Sequence, residues 1–191
     1  MRTASSVLDD LNAMAPMRTS DLPCDQRGIY ALIDHLGRIF YLGSTAATNE
    51  SFRKRIHQRH RTGTETYSHH FASAYNVGRM WRDPKARSVD EIADGVIAKR
   101  FRNAFIAEYC RAAYVPLQLE KAALFRLEAE VIALAPPAMR ARNGRKLAPY
   151  AEPRELVDAF IKLSRLTEED EAALHRQEQR FHRSLAAANV R

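Results

Sequence analysis

No stretch of about 18 apolar residues runs through this chain, which excludes a sequence-legible transmembrane helix. The segment Met1–Met17 mixes Arg2, Asp9 and Asp10 into a Ser/Ala-rich run and lacks the apolar centre of a signal peptide, so a soluble cytoplasmic protein is expected. Cysteine is scarce: Cys24 and Cys110 lie far apart and outside any CxxC or Cys/His spacing. That excludes a disulfide framework and argues against a zinc site. Internal repeats and low-complexity tracts are missing as well.

What is present suits one core-forming domain with appendages, since 191 residues at 46% hydrophobic can bury a core but rarely need two. The expected division is an N-terminal extension over 1–26, a main domain over 27–150 with an insertion over 62–110, and a C-terminal helical extension over 151–191. Net charge is +7. Residues 151–191 hold 7 Lys/Arg against 8 Asp/Glu, leaving 23 against 15 for residues 1–150. The basic excess therefore belongs to the main domain, where it suits a polyanionic partner through release of phosphate counterions.

Arg27–Asp34 and Arg38–Ser44 are short β-branched and aromatic runs around the turn-forming Asp34-His35-Leu36-Gly37, which predicts a hairpin. A two-residue loop would set Tyr30 opposite Tyr41; a bulge at Gly37 would offset them by one. Asn49 is a reasonable N-cap for a cationic helix over 50–61. Ser88 can cap a helix from Val89 to Tyr109 with Ile92, Val96, Ile97, Phe101 and Phe105 as its buried stripe. Arg111–Leu117 fits a third strand, pushed to an edge by Pro116. The strongest helical signal covers Leu119–Ala135 and stops at Pro136-Pro137, and two amphipathic helices follow over Pro153–Leu166 and Thr167–Ala188.

One residue disturbs that strongest helix. Glu128 has Leu124 and Phe125 before it and Val131 and Ile132 after it at helical spacing, so its carboxylate should point inward. An unpaired buried carboxylate is costly, which leaves a metal ion, a basic partner or protonation to hold it. The bland alternative is a salt bridge to one of the many arginines.

The hairpin reads Gly28-Ile29-Tyr30 and then, about ten residues on, Tyr41-Leu42-Gly43. After it come Phe52-Arg53-Lys54-Arg55 on a helix, the Arg111–Leu117 strand, Leu127-Glu128, Pro136-Pro137 and Asn143. In this order and spacing the chain resembles the GIY-YIG nucleases over roughly residues 27–146, and 27–150 is expected to be the nuclease domain. The resemblance implies an α/β fold: a small three-stranded antiparallel sheet flanked by helices, with extra C-terminal helices. It implies a metal-dependent endonuclease that hydrolyses DNA phosphodiester bonds, leaving a 5′-phosphate and a 3′-hydroxyl, in repair, restriction, recombination or a mobile element. Tyr30 would activate or position the attacking water, with Tyr41 as a second hydroxyl. Arg55 would neutralise the scissile phosphate, Glu128 would ligate one Mg²⁺ or Mn²⁺, and Asn143 would orient neighbouring groups. A His or Tyr often stands one turn after the helix arginine in that family. Here one α-helical turn after Arg55 is Arg59, with His60 one residue further and His57 on another side, leaving either histidine as an auxiliary acid or base.

Arg53, Lys54, Arg59, Arg142 and Arg145 are the expected nucleic-acid contacts near the site. In the insertion, Arg79, Arg82, Lys85, Arg87, Lys99, Arg100 and Arg102 accompany Tyr75 and Trp81, a mixture suited equally to substrate contact and to an ordinary core under a solvated surface. His69-His70 lacks a third ligand at metal-binding spacing. Three other readings stay open: a non-catalytic nucleic-acid-binding protein on the same fold, an RNA-directed nuclease, and a regulator that dimerises through Thr167–Ala188.

Overall fold

A computed structural model describes residues 2–47, 49–65, 68–144 and 149–189. Its centre is one antiparallel sheet of four strands in the order β1-β4-β2-β3, where β1 is Met17–Arg18, β2 Gly28–Ile33, β3 Ile39–Ser44 and β4 Arg111–Pro116. The three predicted strands are joined by a fourth, because Met17 and Arg18 pair with Ala112 and Arg111. Two residues carry no periodicity, so the sequence could not announce this strand. Short as it is, β1 makes β4 an interior strand at one end, against the expectation of an edge. Pro116 sits at the other end, beyond β1, where β4 pairs only with β2 and a missing N–H is harmless.

Every residue of β2 is buried, so its two faces feed two cores. Ile29, Ala31 and Ile33 pack with Val7 and Leu11 of α1 (Ala4–Ala13) and with Leu124, Leu127 and Val131 of α4 (Lys121–Leu134). Tyr30 and Leu32 face Phe52, Ile56, Phe71, Phe101, Phe105 and Phe160 on the other side. That second core is built by a π-helix over Arg53–His60 and by α2 (His70–Ala74), α3 (Val89–Tyr109), α5 (Arg154–Ser164) and α6 (Glu168–Asn189). Within residues 1–26, α1 has a capping box at Thr3 and Ser6 and fully buries Val7 and Leu11. Each such side chain is worth about 1.5–3 kcal/mol relative to exposure. Among the described residues no helix is long and apolar enough to cross a membrane.

Three local expectations change. Asn49 is not a cap: its φ is +58°, and the helix that follows has no side-chain cap bond. In α3 the Ser88 cap stands, but Ile92 and Val96 are exposed, and the buried face carries Asp94, Ala98, Phe101, Arg102 and Phe105. The polar residues can turn inward because they are paired there, Arg102 with Glu65 and Asp94 with Arg176 and Arg180. The hairpin takes two irregularities instead of at most one. Asp34 N donates to Arg38 O around a three-residue loop in which Gly37 takes φ +75°, and a bulge follows between Leu32 and Ile33. The first shift alone would send Tyr41 to the opposite face from Tyr30; the second restores it.

Candidate active site

Through this double offset Tyr30 pairs with Gly43 and Tyr41 with Leu32, leaving the two tyrosines diagonal neighbours with ring centroids 6.1 Å apart. The Tyr30 ring lies over Gly43, where a Cβ would stand 2.6 Å from Tyr30 Oη and 2.7 Å from Tyr41 Cε1. Both motif words thus meet in one contact: the glycine of the second is bare so that the tyrosines of both can fit.

The π-helix brings the next two groups. Its N–H groups bond five residues back, as Arg61 N does to Ile56 O at 3.1 Å, so residues five apart come onto one face. Arg55 and His60 are five apart. Both reach Tyr30, Arg55 Nε donating to Oη at 3.4 Å and His60 Nε2 lying 2.7 Å from it. Arg59, which an α-helical period would have placed there, pairs instead with buried Glu50 at 2.9 Å. His57 faces Thr19 and Arg61, away from the tyrosines.

The proton positions follow from the neighbours. Burial holds His60 well below its usual pKa, so the ring is neutral with one donor and one acceptor nitrogen. The main-chain N–H of His70 donates to His60 Nδ1 at 3.2 Å, which makes Nδ1 the acceptor and leaves the proton on Nε2. His60 therefore donates to Tyr30 Oη. Arg55 donates to the same oxygen, and the Tyr41 ring lies beside that of Tyr30, with centroids 6.1 Å apart. Burial raises the pKa of both phenols, and the Glu128 charge raises them further while Arg55 opposes. Both rest protonated. Tyr30 is 0% exposed and Tyr41 9%, so Tyr41 is the hydroxyl closer to solvent.

Glu128 stands on α4, on the other face of the sheet, where its charge adds to the burial that raises the pKa of both phenols. It is half-buried, between buried Leu124, Leu127 and Val131 and the exposed Phe125, and so is less enclosed than its sequence neighbours suggest. Ser44 Oγ donates to Glu128 Oε2 at 2.6 Å. Burial raises the carboxyl's pKa and the Ser44 bond opposes that rise. No cluster of three or more His, Cys, Asp or Glu that could hold a metal occurs among the described residues. A lone carboxylate with a hydroxyl beside it fits a hard cation such as Mg²⁺, which takes one or two protein carboxylates and completes its shell with water and phosphate. The same donors do not fit zinc.

Asn143 works on the backbone. Its amide accepts from Leu42 N at 3.0 Å and donates to Leu42 O at 2.6 Å, closing the outer edge of β3 between Tyr41 and Gly43 as a further strand would. Among the expected phosphate contacts, Arg53 is exposed, Lys54 donates to Asn49 O at 2.9 Å, and Arg142 is buried with its guanidinium 5.4 Å over the Tyr150 ring. Arg145 lies outside the described residues. In the insertion Arg79 pairs with Glu152 and Asp158, Arg82 and Arg102 with Glu65, and Arg100 with Asp170, while Tyr75 is core and Trp81 packs on Phe181. Much of that stretch is scaffold.

Two participants escaped the sequence reading, Ser44 and His70. The His70 ring stacks on Tyr41 at 3.7 Å between centroids, with burial pushing its pKa down to about 3, while its main chain sets the His60 tautomer. The adjacent His69-His70 pair drew attention only as a metal candidate, and stacking leaves no spacing signal. Comparison with known proteins finds no family model, no curated protein and no solved structure that matches this chain.

Proposed function

We propose that the chain is a metal-dependent DNA endonuclease of the GIY-YIG type. The observation that carries this reading is the convergence of Tyr30, Tyr41, Arg55 and His60, drawn from two strands and the π-helix, with Glu128 on α4 acting on both phenols through its charge. Hydrolysis of a phosphodiester needs a proton acceptor for water, positive charge on the phosphoryl oxygens and a proton for the leaving oxygen. Arg55 binds the phosphate. Tyr30, once its own hydroxyl proton has passed to solvent, takes the water's proton as the bond from phosphorus to the 3′-oxygen breaks, and that oxygen takes a proton from solvent. The transient phenolate is stabilised by the His60 Nε2–H and the Arg55 Nε–H, both already aimed at Oη. In this tautomer His60 is a donor and not the base. A divalent cation held by Glu128 would supply Lewis acidity at the phosphate and cancel the carboxylate field that opposes tyrosine ionisation.

Incubation of the purified protein with single-stranded, duplex and branched DNA, and with RNA, in Mg²⁺, Mn²⁺ or EDTA tests this. Cleavage of DNA in either cation, its loss in EDTA, and 5′-phosphate ends are expected. Inertness toward every substrate, or cleavage indifferent to EDTA, would sink the proposal.

Gly43→Ala adds a single methyl at the tyrosine contact. It should destabilise the fold by about 1–3 kcal/mol through overpacking. Cleavage should fall roughly 10²-fold as the reacting group shifts by ångströms. Urea unfolding and initial rates read the two effects separately, and an unchanged rate would remove the tyrosine pair from the chemistry.

A further inference from the structure

Arg61, the residue after the π-helix, turns away from the tyrosines and donates to the main-chain carbonyls of His57 at 3.1 Å and Asn103 at 3.2 Å. The end of the π-helix is thereby tied to the middle of α3, and beside the junction lies an open cleft of about 540 Å³. Its walls are Arg61, Arg82, Val96, Lys99, Arg100 and Asn103.

The charge in this cleft is not balanced. Arg82 and the fully buried Arg102 share the one carboxylate of Glu65, and Arg100 holds Asp170. Arg61 and Lys99 are not ion-paired among the described residues. Four cations thus line the cleft against two carboxylates, one of which also serves Arg102 beneath it. A surplus of this kind repels itself and is matched by a polyanion. Val96, Lys99, Arg100 and Asn103 recur along one side of α3 over a rise of about 10 Å. Duplex DNA presents a phosphate charge about every 1.7 Å of axis, so that length meets several phosphates.

The lining also discriminates between forms of nucleic acid. Proteins hold single strands by stacking bases on aromatic rings. No aromatic ring lines this cleft among the described residues: Trp81 packs on Phe181, and Tyr75 is buried in the core. Cations without stacking platforms suit a backbone whose bases are already stacked on each other.

We propose that this cleft docks the sugar-phosphate backbone of a DNA duplex, flanking the bond offered to the tyrosine site. The choice of DNA rests on the nuclease reading; the duplex polyanion rests on the cleft itself. The test uses the full chain in EDTA, so that binding is read without cleavage. Fluorescence anisotropy compares a DNA duplex of about two helical turns, its single strand and the matching RNA duplex. The variant is Val96→Glu/Lys99→Glu, since Val96 is 58% exposed and neither side chain bridges elements of the fold. Wild-type protein should bind the DNA duplex at least about tenfold more tightly than the strand or the RNA. The variant should bind at least about tenfold more weakly, and its log K against log salt should be shallower by about 0.9 for each phosphate it no longer neutralises. If the acidic variant does not fold, Val96→Gln/Lys99→Gln carries the comparison. Equal binding of the single strand, preference for RNA, or a folded variant with wild-type affinity and slope would overturn the proposal. A protein that binds in this way yet never cleaves would keep the cleft and remove only the nuclease reading.

Discussion

Tyr30→Phe protein should fold and bind DNA yet cleave it about 10²–10⁴-fold more slowly, the span that proton transfer by a positioned side chain contributes. The substitution removes one oxygen from the centre of the hydrogen-bonded group and nothing else. His60 Nε2 and Arg55 Nε lose the acceptor they share. His60 is fully buried, so its orphaned N–H costs about 1–3 kcal/mol of stability, a visible shift in unfolding but not loss of the fold. The ring still covers Gly43 and still packs with Leu32 in the second core. The loss should fall in kcat, with KM and duplex affinity close to wild type, because the proposed phosphate contacts are those of Arg55 and the basic cleft. A kcat within tenfold of wild type would show that Tyr30 serves packing alone.

Gly28→Ala is expected to act on the fold. Gly28 has φ +155°, and a Cβ there would stand 2.0 Å from Val115 O, 3.0 Å from Leu117 N and 3.1 Å from Phe52 Cζ. Main chain on both sides is pinned. Leu117 N donates to Arg27 O at 2.8 Å, Thr45 N donates to Gly28 O at 3.0 Å, and Gly28 N donates to Thr45 Oγ1 at 2.8 Å. The methyl cannot be admitted without parting β2 from β4, so a loss of about 4 kcal/mol or more is expected. That is a large share of the roughly 5–15 kcal/mol that holds a domain together. Gly37→Ala is the control: its φ is +75° but nothing lies within 4 Å of the new Cβ, so only the left-handed backbone cost of about 1–2 kcal/mol applies. Urea denaturation of the two variants side by side should separate them clearly. Equal midpoints would mean that β2 and β4 are not held as tightly as described.

The two motif glycines therefore do different things, Gly28 admitting a neighbouring strand and Gly43 admitting two rings. The sequence shows both as the same letter. What was legible came from strong local chemistry. The turn at Asp34–Gly37 marked the hairpin, Ser88 marked the start of α3, and Pro136 marked the end of α4, because each acts on the chain within a few residues of itself. The candidate site residues were legible too, as types at spacings. Their geometry was not. Whether His60 or Arg59 joins Arg55 depends on the π-helical period, and no residue in RKRIHQRH advertises it. The register that returns Tyr41 to the face of Tyr30 needs a second irregularity between Leu32 and Ile33, where no glycine or turn residue marks it. Arg102, suited by sequence to substrate contact or to a solvated surface, is buried because Glu65, distant in sequence, pairs with it.

The most direct measurement is single-turnover cleavage of duplex DNA in Mg²⁺ by wild-type, Tyr30→Phe and Glu128→Ala proteins, each first shown to be folded. The proposed mechanism predicts cleavage by the wild type and loss of at least about 10²-fold in both variants, because it assigns the base to Tyr30 and the cation to Glu128. Cleavage that both variants sustain at the wild-type rate would contradict it.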